Sequence, residues 1–185
     1  MPMKKTFSVL TSAFAGSLAG GALVKKVWLD KYHEQTAALA AAERERDLTY
    51  TWLLLEMRGI RLKEYMDAHG LKTVAVFGMS RIGRRAAEEL GDAAVYAVEL
   101  DHFNAVHERL TVYRLGDDPL PEADCMLLCD LERVPEKLAA ARREFPGTVV
   151  TLAEVLRWLL GQHKIEPRDG AVAAWPPADL VDSKG

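Results

Sequence analysis

The stretch Thr73-Val74-Ala75-Val76-Phe77, continued by Gly78-Met79-Ser80-Arg81-Ile82-Gly83, constrains this chain more than any other. A short apolar and β-branched run suits a parallel strand buried on both faces. The glycines then dictate the path of the chain beyond the strand. Gly78 permits a tight turn, and Gly83 permits a helix to lie close against the strand it leaves. Arg84 to Leu90 reads as that helix, stopped at Gly91. A second strand is expected at Val95-Tyr96-Ala97-Val98, ending at Glu99.

Strand, glycine turn, helix, strand and acid, in that order, make the first unit of a Rossmann-type α/β fold. The physical roles map onto the residues. The start of a helix offers unpaired N–H groups and a positive dipole to phosphate. Ser80 stands where a second glycine usually lets the backbone approach a pyrophosphate, and its hydroxyl is able to donate a bond. Glu99 lies about twenty residues after the turn, where an acid bonds ribose hydroxyls. The candidate cofactor-binding residues are therefore Gly78, Met79, Ser80, Arg81, Ile82, Gly83 and Glu99. Arg81, Arg84 and Arg85 add positive charge near the turn, although the two later ones also read as exposed helix residues.

The rest of the domain, 70–161, continues the alternation. Thr111-Val112-Tyr113-Arg114 is expected to be a strand. Asp117-Asp118-Pro119-Leu120-Pro121 is a turn, because its prolines exclude a ladder or helix. Cys125-Met126-Leu127-Leu128-Cys129 reads as a buried strand ending in Asp130. Pro135 suits a first helical turn, with the helix running to Phe145 and stopped by Pro146-Gly147. Thr148-Val149-Val150 is a last short strand. Thr151-Leu152-Ala153-Glu154 is a capping box opening a helix through Leu160. The expectation is one small parallel sheet without the second half of a full dinucleotide fold. Ligands of such sheets bind at the carboxyl ends of strands, which adds Asp101 and Asp130 as candidates, with His102 near the same mouth.

The residues before this domain have another character. Lys4 and Lys5 precede nineteen uncharged residues, Thr6 to Val24, closed by Lys25 and Lys26. As a helix that run spans about 28 Å, near the thickness of a bilayer's hydrocarbon core. Thr, Ser and Gly fill eight of its positions, so it is only weakly apolar. It reads as a single-pass anchor over 1–26, in contact with lipid through residues 6–24. The alternatives are a cleaved signal peptide, with Ala13-Phe14-Ala15 as its cleavage pattern, and a soluble or interfacial helix. Ser12, Gly16 and Gly20 recur at the spacing by which helices approach in lipid, which suggests a homodimer through Gly16 and Gly20. Lysines flank both ends, so charge favours neither orientation. Two cysteines read as reduced core thiols, together with the need for a cytosolic ligand, favour a cytoplasmic globular domain. Residues 27–69 lack proline and are rich in alanine, which predicts a helical stalk. Within it, Trp52, Leu55, Ile60, Leu62 and Tyr65 form a denser apolar set, expected to pack on the domain as one or two helices over 48–68. The tail 162–185 is rich in Pro and Ala and is expected to be flexible, although Trp175-Pro176-Pro177 offers a docking element.

Composition narrows the function classes. A net charge of −3 lacks the basic excess of a nucleic-acid binder. Two cysteines in 185 residues do not build a disulfide scaffold. No nucleophile with a base partner is visible, nor a Tyr-x-x-x-Lys spacing near the sheet. His102 and His107, with Glu99 and Asp101, invite a metal reading, but an i, i+5 spacing does not face both rings together on a helix, so no metal is expected.

Leu62-Lys63-Glu64-Tyr65-Met66, Lys72 to Gly83, Val95 to Glu99, Glu122 to Leu128 and Thr151 to Leu156 together resemble small Rossmann modules associated with bacterial capsule and surface-polysaccharide synthesis. Those modules are similar to the cofactor half of nucleotide-sugar epimerases. Some carry an amino-terminal membrane helix and a charged helical linker. The resemblance covers roughly residues 1–160. It implies NAD(P) or a nucleotide-sugar as ligand and a polysaccharide-synthesis enzyme as partner, and supplies no reaction. Related modules often carry Asp where Glu99 stands, which keeps a ribose contact but changes its reach. The first expectation is a membrane-tethered nucleotide- or dinucleotide-binding accessory module. The second is a structural or interaction protein that keeps the fold without a ligand, its turn blocked by its own side chains. The third, a complete small oxidoreductase, lacks a second half for its substrate.

Overall fold

The structure, a computed structural model, describes residues 31–32, 36, 39, 42–100, 108–117, 119–131 and 134–166. The chain divides into two compact units, Met1–Ala42 and Glu43–Gly185. In the first, Lys31, Tyr32, Thr36, Leu39 and Ala42 are helical, with Tyr32 and Leu39 exposed. Thr6–Val24, with Gly16 and Gly20, lies outside the described residues. Among the described residues no helix is long and apolar enough to cross a membrane.

The second unit opens with a helix over 43–57 (α1). Gly59, at φ +76°, turns the chain into α2, Leu62–Ala68. Trp52, Leu55, Ile60, Leu62 and Tyr65 are all buried, as their clustering in the sequence predicts. Five strands follow among the described residues: β1 Val74–Phe77, β2 Ala94–Glu99, β3 Val112–Arg114, β4 Cys125–Leu128 and β5 Thr148–Thr151. The helices between and after them are α3 Arg81–Leu90, α4 Val134–Glu144 and α5 Leu152–Gln162. All pairings are parallel and the strand order is β3-β2-β1-β4-β5. This is a mixed α/β architecture whose sheet fits the Rossmann-like order.

Alternation along the strands divides the core in two. Val74, Val76, Ala97, Cys125 and Leu127 pack with Trp52, Met66, Ile82, Ala86 and Leu156, from α1, α2, α3 and α5. Ala75, Phe77, Tyr96, Val98, Met126 and Leu128 pack on the other face with Leu138, Ala141 and Phe145. Topology explains the division. From the central β1–β4 pair the chain steps outward in opposite directions, to β2 and to β5. Right-handed crossovers then place α3 and α4 on opposite faces. The passage from β3 to β4 crosses the second face over 115–124 with no helix among its described residues. Leu115 is buried there, Leu120 and Ala123 pack on the core, and the Tyr96 hydroxyl donates to the Pro121 carbonyl at 2.7 Å.

Some boundaries differ from expectation. The helix after the glycine turn begins at Arg81 rather than Arg84, because Gly78 to Ser80 suffices for the turn and Ser80 serves as N-cap. The expected capping box forms. Thr151 Oγ1 accepts from the Glu154 N–H at 3.1 Å, and the Glu154 carboxylate accepts from the Thr151 N–H at 2.7 Å. The expected flexible tail is corrected over 162–166. Gln162 ends α5, and Ile165 is buried with its N–H bonded to the Leu160 carbonyl at 2.9 Å, because an apolar side chain just past the helix completes the core. Trp175-Pro176-Pro177 lies outside the described residues.

Candidate functional site

A sheet that reverses its winding between two adjacent strands leaves a crevice at their carboxyl ends. Here the strands are β1 and β4, and the crevice is bounded by the residues that leave them. Gly78 leaves β1 at φ +91°, a backbone region that side-chain-bearing residues seldom adopt. A Cβ on Gly78 would lie 2.9 Å from Asp130 Cβ, and one on Gly83 would lie 1.8 Å from the Gly78 carbonyl oxygen. The turn, the first turn of α3 and the exit of β4 are thus packed backbone against backbone. α3 begins without a side-chain hydrogen bond from its Ser80 N-cap and without an acid in its first turn. That start suits an anion supplied from outside.

The candidate residues divide by how they face this crevice. The Met79 and Ile82 side chains are buried in the core, so neither side chain reaches the crevice. Ser80 is exposed at the start of α3. Glu99, the last residue of β2, places Oε1 2.5 Å from the Met79 nitrogen and accepts its N–H. The acid expected to meet ribose therefore also braces the glycine turn. Asp101 lies outside the described residues, as do His102 and His107. Among the described residues no group of three His, Cys, Asp or Glu is arranged to hold a metal ion.

Arg81 and Arg85 both meet carboxylates of α1. Arg81, with 85% of its side chain exposed, donates to Glu45 of α1 at 2.8 Å. Arg85 donates to Glu56 at 2.5 Å, and its guanidinium lies 5.8 Å from the centre of the Trp52 ring. Glu56 also accepts from Arg61 at 2.9 Å. Carboxylates on α1 thus pair with Arg81 and Arg85 on the face of the sheet that α1, α2, α3 and α5 cover. Nothing in the local sequence signals these partners, which lie 36 and 29 residues away.

Two functional-looking side chains escape the sequence reading altogether. Lys137, in the first turn of α4, forms an ion pair with Asp130 and is buried. A lysine in a helix carrying Glu136, Arg142 and Arg143 reads as solvated, and only the fold brings it beneath Asp130. Glu89 of α3 accepts from Trp52 Nε1 at 2.6 Å and from the Leu62 N–H at 2.7 Å. Burial holds its carboxyl above the usual range despite those bonds. Glu89 borders a shallow cleft with Arg61, Lys63, Glu64 and Asp67, away from the glycine turn. Its two bonds tie α1 and the start of α2 to α3, which is a structural role.

Cys125 and Cys129 are buried free thiols. Burial pushes Cys125 up to about 12 and raises Cys129 as well, so neither is a ready nucleophile. What the crevice brings together is a set of backbone donors flanked by two carboxylates. Such a set binds a phosphate through the donors and hydroxyl groups through the acceptors. The chain matches no family model, no curated protein and no solved structure in comparisons with known proteins.

Proposed function

We propose that this chain is a nucleotide- or dinucleotide-binding accessory module, tethered to a membrane through Thr6–Val24 with its second unit in the cytoplasm. In this reading it serves bacterial surface-polysaccharide metabolism beside a synthetic enzyme. The observation that carries the nucleotide reading is the close backbone approach at Gly78 and Gly83, where a Cβ on Gly78 would meet Asp130 and one on Gly83 would meet the Gly78 carbonyl oxygen. A backbone stripped of side chains at the winding switch of a parallel sheet is the feature that lets diphosphate approach. Glu99 adds an acceptor where the adjoining ribose would lie. A carboxylate there favours a free 2′-hydroxyl over a 2′-phosphate, and so NAD or a nucleotide-sugar over NADP.

Thermal unfolding of the full chain in detergent tests this reading. A higher midpoint is expected with NAD or a nucleotide-sugar at millimolar concentration. Glu99→Gln is expected to weaken the interaction about tenfold, the loss of one charge-assisted hydrogen bond. An unchanged midpoint across NAD, NADP and several nucleotide-sugars would sink the reading. The bond from Met79 N–H to Glu99 supports a second reading, a ligand-free scaffold whose acid serves only to brace the turn. On that reading Glu99→Gln changes the midpoint by the same amount with and without nucleotide.

A further inference from the structure

Among the described residues, Lys137 is the one charged residue that is buried. Its side chain is 10% exposed and that of its partner Asp130 is 22% exposed. Net stability is a poor account of such a pair. Both charges lose water on burial, and apolar side chains of similar volume often serve stability as well or better. Lys137 also stands in the first turn of α4, where a positive charge opposes the helix dipole.

Position gives a better account. Asp130 leaves β4 against Gly78, on the side of the turn away from β2 and Glu99. β2, β1 and β4 are neighbours in the sheet. At about 4.8 Å per strand, the two carboxylates stand on the order of 10 Å apart, on either side of the turn.

We propose that Lys137 is a positioning residue, which holds the Asp130 carboxylate as an acceptor for a hydroxyl-bearing group beyond the ligand's phosphates. This rests on the nucleotide-binding reading and narrows it. The ligand class is a nucleoside diphosphate joined to a sugar or a second nucleoside, rather than a nucleotide ending in free phosphate. Its first ribose lies by Glu99, its diphosphate on the start of α3, and its second hydroxylated group by Asp130. A terminal phosphate in that last place would face a carboxylate of its own sign.

Calorimetric titration of the full chain in detergent tests the proposal, with ADP against ADP-ribose and NAD, and UDP against UDP-glucose. At least one conjugate is expected to bind about tenfold or more tightly than its parent diphosphate, the contribution of a hydrogen bond to a charged acceptor. Lys137→Met is expected to bring that ratio close to one. Asp130→Asn alone leaves a buried ammonium unpaired, so the neutral double variant D130N/K137M provides the second measurement, with the same expected collapse of the ratio. A ratio unchanged in both variants overturns the proposal and leaves the nucleotide reading standing. Failure of the wild-type chain to bind any of these compounds overturns the nucleotide reading, and the proposal with it.

Discussion

A hydrogen atom in place of a methyl group at residue 83 decides whether β1, its turn and α3 can coexist. Gly83→Ala puts a carbon 1.8 Å from the Gly78 carbonyl oxygen, which no side-chain rotation relieves. The expected cost is about 3 kcal/mol or more, read from urea unfolding. Gly161→Ala is the control. It lies near the end of α5 with nothing within 4 Å of a new Cβ, so a gain of about 0.5–1 kcal/mol is expected. The buried thiols make a second expectation at this scale. Neither Cys125 nor Cys129 should react with a disulfide reagent at pH 8 until urea unfolds the chain, and rapid labelling of the folded protein would contradict their burial. Residue roles were legible where backbone geometry sets them. Gly78 and Gly83 announce themselves by spacing. Lys137 and Glu89 do not, because a charged residue on an amphipathic helix has the same local sequence whether it meets water or a buried partner.

At the scale of elements, two acids act as fasteners with opposite responses to pH. Asp124 accepts from the Thr73 N–H at 2.9 Å and the Lys72 N–H at 2.8 Å, joining the approach to β1 to the start of β4. Those bonds hold its carboxyl below the usual range. The folded state therefore releases this proton more readily than the unfolded state. The stabilisation is present above the unfolded value, near pH 4, and is lost as pH falls through the folded value. Asp124→Asn is expected to flatten the acid limb of stability against pH. Glu89 runs the other way. Its folded value is raised by burial, so the folded state holds the proton more tightly, and stability falls as pH rises from about 4.5 through the folded value. Glu89→Gln is expected to remove that slope, which chemical unfolding at half-unit pH steps would register. The elements themselves were largely legible. Short apolar runs between glycines and prolines marked the strands to within a residue or two. The start of α3 was less so, since Arg81-Ile82-Gly83 belongs equally to a turn motif and to a helix.

For the whole molecule, sheet order sets where stability resides. β1 and β4 are buried at every residue and paired on both sides, whereas β3 is a half-exposed edge of three residues. Amide exchange is expected to be slowest in β1 and β4, and faster in β3 on the order of a hundredfold or more. An edge as protected as the centre would contradict the order. That order was not legible beyond its class. An alternation of strands and helices implies a parallel sheet, but only contacts across some fifty residues, such as Asp124 with Thr73, decide that β4 returns to lie beside β1. The described residues of the crossing from β3 to β4 form no helix, and Pro119 and Pro121 contribute no N–H groups to leave unpaired over an apolar face. No helical rise fixes its length. An insertion beside the exposed Gly116 is therefore expected to leave every strand pairing intact, whereas one added carbon at Gly83 would not. Descendants of this chain are therefore expected to vary in length at that exposed corner and to be held nearly still at the glycine turn and wherever the crossing packs on the sheet.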